Sequence, residues 1–425
     1  MITSITMENV IWNLKGGGLL TTKFLIKFAT NLQIERSLTM KKSKINLMII
    51  SVLAIAMLLT ACSNGDSNGN QGNVSNEDAI RVIVAGPMTG DNSEYGIGFA
   101  NAADLMAEKW NSEGGIDGKT VVVEKYDDKN SPEEAVTVAN RIVSDGNIPV
   151  VIGHFASGVS MAAAPLYEEN QIIEISPSAS HPDYSGIGDY IFRNNTVIHS
   201  EALASVDIAV NDLGKSNIGI ISIMTDWGVS TAGIVKEIVE SDFPEATVVA
   251  HEEVIESSDD YRPAISKLND AGADVVITVG MYNLVAPVAR QYKEINPDIE
   301  IVGFSNAYSQ QLLELGGEYV EGVAFPVIFF SQSDDPKVAE FVESYKDKYG
   351  SEPSALTAQA YDSVGIFLTA VQNVGYGDTA AIRDEIARLE YDGVTGFTKF
   401  DENGDVDKSF TRVVVRDGQF GLLNQ

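Results

Sequence analysis

Short β-branched runs and helical stretches take turns from Arg81 to Leu389, and a chain patterned this way has few folds open to it. The strand-like runs are Arg81–Ala85, Thr120–Tyr126, Val150–Gly153, Ile172–Ile175, Ile218–Ile223, Thr247–Ala250, Val275–Val279, Ile299–Gly303 and Gly322–Phe325. Between them apolar residues recur at helical spacing, in Phe99–Asn111, Pro132–Ser144, Ser200–Asp212, Ser230–Glu240, Tyr261–Asn269 and Asn283–Ile295. A strand, a helix and a second strand give a parallel pair, because the helix carries the chain back along the sheet face. Runs such as Val275-Val276-Ile277 lack polar alternation, as expected of strands covered on both faces. The pattern predicts an α/β protein of mostly parallel sheets flanked by helices. Spread over 425 residues, it exceeds what one hydrophobic core serves, so two lobes are expected.

The alternation breaks near Tyr190–Val197 and again near Ala324–Phe330. The stretch between is long enough for one complete lobe. Residues 79–197 with 328–395 are therefore expected to form lobe one, and residues 198–327 with 396–425 lobe two. After the second break, helices are predicted at Pro336–Tyr349, Thr357–Val374 and Thr379–Leu389. A final hairpin is predicted to pair Phe397–Phe400 with Phe410–Val415 through Asp401-Glu402-Asn403-Gly404-Asp405. The two lobes also share a local signature. Glu94-Tyr95-Gly96 and Asp226-Trp227-Gly228 each follow a lobe's first strand and open a helix. Ligands bind beyond the carboxyl ends of parallel strands, so both aromatics are placed to face one cleft.

The N-terminus is a different object. Residues 1–61 carry seven Lys/Arg and two Asp/Glu, within a chain whose net charge is −31. Met40-Lys41-Lys42-Ser43-Lys44 precedes the 15-residue apolar run Ile45–Leu59. That is the layout of a secretory signal, and the run is short for a bilayer, which needs roughly 20 apolar residues. Leu59-Thr60-Ala61-Cys62 resembles the lipobox of bacterial lipoproteins, in which the Cys thiol is acylated, and Cys62 is the chain's only Cys. Residues 40–61 are thus expected to be a lipoprotein signal peptide, with residues 1–39 an upstream extension before the true start at Met40. Residues 62–78, rich in Gly, Ser and Asn, read as a flexible tether of roughly 20 Å root-mean-square reach. The expected location is extracytoplasmic, on a lipid anchor at the cell membrane.

Charge and composition exclude several functions. A net charge of −31 works against nucleic-acid binding, which needs a basic surface. One Cys and four scattered His give no metal-ligand spacing. Gly303-Phe304-Ser305-Asn306-Ala307 nearly matches a nucleophile elbow, but its last Gly is Ala and no His follows it. Gly96-Ile97-Gly98-Phe99-Ala100-Asn101 lacks the third Gly of a dinucleotide loop. Asp401–Asp405 lacks the sixth-position Gly of a calcium loop and reads as a turn. His154, after an apolar strand, reads as a structural hydrogen-bonder. No catalytic residue, metal or cofactor is expected.

Several motifs, in order along 79–415, resemble the leucine/isoleucine/valine-binding family of ABC-importer receptors, the type I periplasmic binding proteins. They are Val84-Ala85-Gly86-Pro87-Met88-Thr89-Gly90 with Tyr95-Gly96, Asn111-Ser112-Glu113-Gly114-Gly115-Ile116-Asp117-Gly118, Tyr126-Asp127-Asp128, Val151-Ile152-Gly153-His154, Ser176-Pro177-Ser178-Ala179-Ser180 and Phe400-Asp401-Glu402-Asn403-Gly404-Asp405. The resemblance implies two lobes joined by three crossovers, a monomer that closes on a small solute and then docks on ABC permease subunits. A binding subunit that feeds a signalling receptor is the alternative it leaves open. Carried over by position, the lobe-one ligand contacts are Tyr95, Ser157, Ser178, Ala179 and Ser180. From lobe two come Trp227 as an aromatic wall, and Met281 or Tyr282. Ser305 stands where the family's amino-acid binders carry an acid for the ligand ammonium. A buried ammonium without a carboxylate is costly, so this departure favours amides or carboxylates, unless Asp226 or Glu201 substitutes.

Overall fold

The computed structural model of the protein describes residues 79–425. The expected signal peptide, the expected tether and Cys62 lie outside the described residues. Among the described residues no helix is long and apolar enough to cross a membrane.

Two sheets organise the chain. The first is built from β1 (Ala79–Gly86), β2 (Thr120–Asp127), β3 (Val150–Ile152), β4 (Ile173–Ser176) and β5 (Ile191–Arg193), in the order β2-β1-β3-β4-β5 and parallel throughout. The second uses β6 (Asn217–Ile223), β7 (Thr247–Val254), β8 (Val275–Val279), β9 (Glu300–Val302) and β10 (Ala324–Val327), in the order β7-β6-β8-β9-β10 and again parallel. Each sheet therefore reverses its strand order at the same place, between its first and third strands, which is where open α/β sheets form a ligand crevice. Residues 390–393 and 396–399 form a separate two-stranded sheet, labelled β11 and β12. The last strands, β13 (Thr411–Arg416) and β14 (Gln419–Leu422), extend the second sheet antiparallel from β10.

The helices start and stop where local chemistry requires. Helix α1 spans Ser93–Ser112. Helix α2 (Pro132–Asp145) opens on Ser131, whose Oγ accepts the Glu134 N–H, with Pro132 in the first turn and Glu133 and Glu134 beside the positive end of the dipole. Buried Ala139 and Ile142 of α2, with Ala163 and Tyr167 of α3 (Ser157–Glu169), cover one face of the first sheet. Its other face packs on α1 and on the helix at Ala355–Val374.

Three expectations change. Ile191–Arg193, read as a break, is the edge strand β5; three residues are too few to show a period. The Ser200–Asp212 helix divides into an α-helix, α4 (Ile198–Asp207), and a π-helical turn at Ile208–Asp212. Arg412 bonds the carboxylates of both Asp207 and Asp212 across that turn. The final hairpin is also corrected. Phe397–Phe400 and Phe410–Val415 do not pair with each other, because the Asp401–Asp405 turn docks on β5 and sends the flanking strands apart. The Arg193 N–H donates to the Gly404 carbonyl at 3.0 Å, and Asp405 accepts from Ser185 Oγ at 2.6 Å.

The repeated acid–aromatic–glycine signature has a steric basis. A β-carbon built on Gly96 falls 2.1 Å from the Pro87 carbonyl oxygen, and one on Gly228 falls 2.1 Å from that of Ile223. In both lobes the first turn of the helix is pressed against the end of the first strand. Gly96→Ala and Gly228→Ala are each expected to cost about 1–3 kcal/mol of stability, as overpacking does. Urea denaturation checks this, and a variant with an unchanged midpoint would mean that the helix start moves away freely.

Candidate functional site

A cavity of about 290 Å³ lies between the carboxyl ends of the two sheets. Phe155, Ser157 and Gly158 reach it after β3, Ser178 and Ser180 after β4, and Asn195 after β5. Opposite them stand Thr225, Asp226 and Trp227 after β6, Glu256 after β7, Met281 after β8, and Ser305 and Asn306 after β9. Each lining loop thus leaves the strand end that the shared sheet order aims at the crevice.

Helix α3 presents its N-terminus at the cavity. Its first backbone bonds run from the Val159 and Ser160 N–H groups to the Ala156 carbonyl. Ser157 and Gly158, whose N–H groups precede these bonds at the positive end of the helix dipole, line the cavity. Ser157 Oγ accepts the N–H groups of Ser180 and His181 at 3.2 and 3.3 Å, which fixes the β4 loop against α3. Ser178 Oγ donates to the Phe155 carbonyl at 2.6 Å.

The opposing wall is built on helix α5 (Asp226–Asp242), whose N-cap Thr225 accepts the Gly228 N–H at 3.1 Å. Trp227 in its first turn packs edge-on against Phe304, with ring centroids 5.9 Å apart. Its Nε1–H donates to Ser180 Oγ at 2.9 Å, a bond from one wall to the other. Two more bonds join the walls: Tyr95 OH donates to the Asn306 carbonyl at 2.7 Å, and Tyr282 OH to that of Asp91 at 3.4 Å.

Of the residues singled out by position, Ser157, Ser178, Ser180, Trp227, Met281 and Ser305 come together around the cavity. Tyr95, Ala179 and Tyr282 stand outside its lining. Tyr95 is buried behind Phe155, stacked on its ring at 4.2 Å. Ala179 is buried, with its N–H on Ser176 Oγ. Tyr282 opens helix α6 (Tyr282–Ile295) and turns to Asp91. Sequence reasoning missed Phe155, Asn195, Glu256, Asn306 and Leu356. The first four sit just past strand ends, a rule that would have found them; Leu356 comes from a distant helix and carries no such signal.

Among the described residues lining the cavity none is Lys, Arg or His, whereas Glu201, Asp226 and Glu256 are acidic. Glu201, in the first turn of α4, is 3% exposed. Its Oε1 accepts the Ser305 N–H at 2.5 Å. Burial pushes its carboxyl up to about 7, against the pull of the Ser305 bonds. Burial likewise raises Glu256, and it pushes Glu94 to about 7 where that residue meets Tyr282. For Glu94 the folded value lies above the unfolded one, so ionisation penalises the fold. The penalty is absent at low pH, sets in above about 4.5 and is complete above about 7. Glu94→Gln is therefore expected to be more stable than the parent by about 2 kcal/mol at pH 8, and to lose that advantage as the pH falls to 5. Melting curves across this range check it; a pH-independent difference would contradict the buried-carboxyl origin.

His154 belongs to the scaffold. Its Nδ1 lies 2.6 Å from Asp128 Oδ2 and its Nε2 3.0 Å from Tyr167 OH, and neither His154 nor Asp128 is exposed. None of the three residues lines the cavity.

A family model described as periplasmic binding protein matches residues 79–419. The chain is 29% identical over 328 residues to Leu/Ile/Val-binding protein homolog 1 of Brucella abortus (strain 2308), covering 77% of this chain and 87% of that one. It is 27% identical over 333 residues to the leucine-, isoleucine-, valine-, threonine- and alanine-binding protein of Pseudomonas aeruginosa, with the same coverage. Among solved structures, it resembles the branched-chain amino acid transporter substrate binding protein of Streptococcus pneumoniae in complex with isoleucine. The TM-score is 0.75 at 25% identity, over 80% of this chain and 97% of the other.

Proposed function

This chain belongs to the periplasmic binding protein family, and from that premise we propose that it is a lipid-anchored, extracytoplasmic receptor of an ABC importer. It captures a small polar organic solute by closing two lobes over it and delivers it to a membrane permease. The observation that carries this reading is the cavity whose walls come from equivalent strand ends of both sheets and bond directly to each other through Trp227 and Ser180. A ligand held by both walls stabilises only the closed arrangement, so binding shifts the population toward the form a permease is able to recognise. The lobes, residues 79–197 with 328–395 and residues 198–327 with 396–425, move about three crossovers. Ser157, Gly158 and Ser180 receive the solute's carboxylate or carbonyl oxygen, while Trp227 and Met281 cover its apolar part. The ligands named for the relatives, branched-chain and small amino acids, are the first compounds to try.

A thermal-shift panel of amino acids, amides and carboxylic acids tests the reading. A solute at a hundred times its Kd is expected to add about 2.7 kcal/mol to the folded state and to raise Tm. A panel without any response would oppose solute capture at this cavity.

A further inference from the structure

We propose that closing the cleft takes up protons on Glu94 and Glu256, acids that the two walls press against each other, so that acid strengthens solute capture. The inference rests on the receptor reading above and adds a regulator to it.

Beside the solute cavity, the loop after β1 meets loops of the second sheet, and the contact is built from acids. Asp91 and Glu94 come from the first side, at the start of α1. Glu256, after β7, and Glu314, on the helix at Gln310–Gly316, come from the second. Glu94 faces Tyr282, Ser309 and Glu314, all of the second side. Glu256 faces Asn92 and Asp91 across the gap, and Asn283 on its own side. The other titratable groups around the two are neutral phenols: Tyr95 on α1, Tyr261 and Tyr282 on the second side, and Tyr345 on the helix at Pro336–Tyr349. Among the described residues no Lys, Arg or His ion-pairs with any of the four acids. Glu94 Oε2 and Glu256 Oε1 are each buried without a hydrogen-bond partner, as is Ser309 Oγ beside Glu94. A buried oxygen left unbonded is far more costly on a carboxylate than on a protonated carboxyl, which sheds its charge and gains a donor.

Two bonds hold this contact shut, from Tyr95 OH to the Asn306 carbonyl and from Tyr282 OH to that of Asp91. Parting the walls breaks both and returns the acids to water. In the closed form burial holds Glu94 at about 7 and raises Glu256. Opening strips part of that cover, so both acids move back toward the ordinary carboxylate range and the closed form binds protons more tightly than the open one. Its proton-linked advantage is full at low pH and is lost as the pH rises through about 7. Glu201 does not share in this, because its bond to the Ser305 N–H joins two groups of the second side and survives opening. Asp226 is exposed even with the walls in contact.

Calorimetry between pH 5.5 and 8 tests this on the protein and its Glu94→Gln variant, with leucine, isoleucine, valine, threonine and alanine as probes. A carboxyl moved from 4.5 to about 7 is worth up to about three hundredfold. Part of the cover of Glu94 stays when the walls part, so Glu94→Gln is expected to bind a responding probe about tenfold more tightly than the parent at pH 8. At pH 5.5 the two are expected to agree within about threefold, since the parent is then largely protonated in the closed form. A gain of affinity that fades with acid is a readout that damage to the cleft does not imitate. Glu94→Ala, which also removes the charge, is expected to follow the same profile and serves if the Gln variant fails to fold. At pH 6.5, titrations in phosphate and in Tris count the protons exchanged, and the parent is expected to take up more per solute bound than Glu94→Gln. An affinity ratio that does not change with pH, or weaker binding by both neutral variants at pH 8, overturns the proposal and leaves solute capture standing. No binding by any probe at any pH counts against the receptor reading and, with it, this one.

Discussion

Trp227→Ala is expected to cost the protein about a hundredfold or more in ligand affinity. Three contributions vanish together: the large ring face against the solute, the edge contact with Phe304, and the Nε1–H bond to Ser180. Aromatic anchors at the centre of a desolvated contact commonly carry 2 kcal/mol or more each, which is about thirty-fold, and here an interlobe bond is added. Because Trp227 is only partly buried, the ligand-free protein is expected to melt within a few degrees of the parent. Trp227→Phe, which keeps a ring but loses the Nε1–H donor, is expected to fall between the two. Trp110 lies on α1, away from the cavity lining. In a protein of residues 63–425, whose tryptophans are Trp110 and Trp227, the ligand-induced fluorescence change is therefore expected to disappear with Trp227. Calorimetry on the three proteins reads the affinity series, and an alanine variant within threefold of the parent would remove Trp227 from the binding wall.

The largest stability effect is expected at Arg193. This side chain is fully buried. Its guanidinium ion-pairs with Asp405, donates to the His181 carbonyl at 2.7 Å and to Ser185 Oγ at 2.8 Å, and lies over the Tyr184 ring at 5.5 Å. Removing one member of a buried charged pair leaves the other uncompensated and costs about 3–5 kcal/mol. Arg193→Ala is expected to lose that much, and to release the Asp401–Asp405 turn that docks on β5. Urea denaturation measures the loss, and hydrogen exchange locates it at residues 400–406. In the double variant with Asp405→Asn the loss is expected to be smaller than the sum of the single effects, because the two share one interaction. A single-variant loss below about 1 kcal/mol would mean that the network contributes nothing to stability.

The alternating pattern made the architecture readable because nearly every strand of the two sheets is apolar and β-branched, and nearly every crossover is amphipathic. What escaped was set by tertiary pairing. Ile191–Arg193 is too short to announce itself, and the Phe397–Phe400 segment gives no hint that Glu390–Gly393 is its partner. At the site, Ser157, Ser178 and Ser180 were legible through the family resemblance, which carries them over by position, and Trp227 through that resemblance and through its triplet, which repeats that of Tyr95. The repeat did not carry the aromatics to equivalent places: Trp227 lines the cavity, while Tyr95 supports Phe155 from behind. Ser305 read as a missing acid. The carboxylate beside it comes from Glu201, 104 residues earlier in the chain, and no local motif encodes such a contact.

Closure on a shared guest is tested most directly by a crystal structure of the protein saturated with a solute chosen by the thermal-shift panel. The expected density shows the solute bonded to the N–H groups of Ser157 and Gly158 on one wall and covered by Trp227 from the other, with the walls in contact. A solute touched by one sheet's loops alone, with Trp227 and Ser180 drawn apart, would contradict capture by closure.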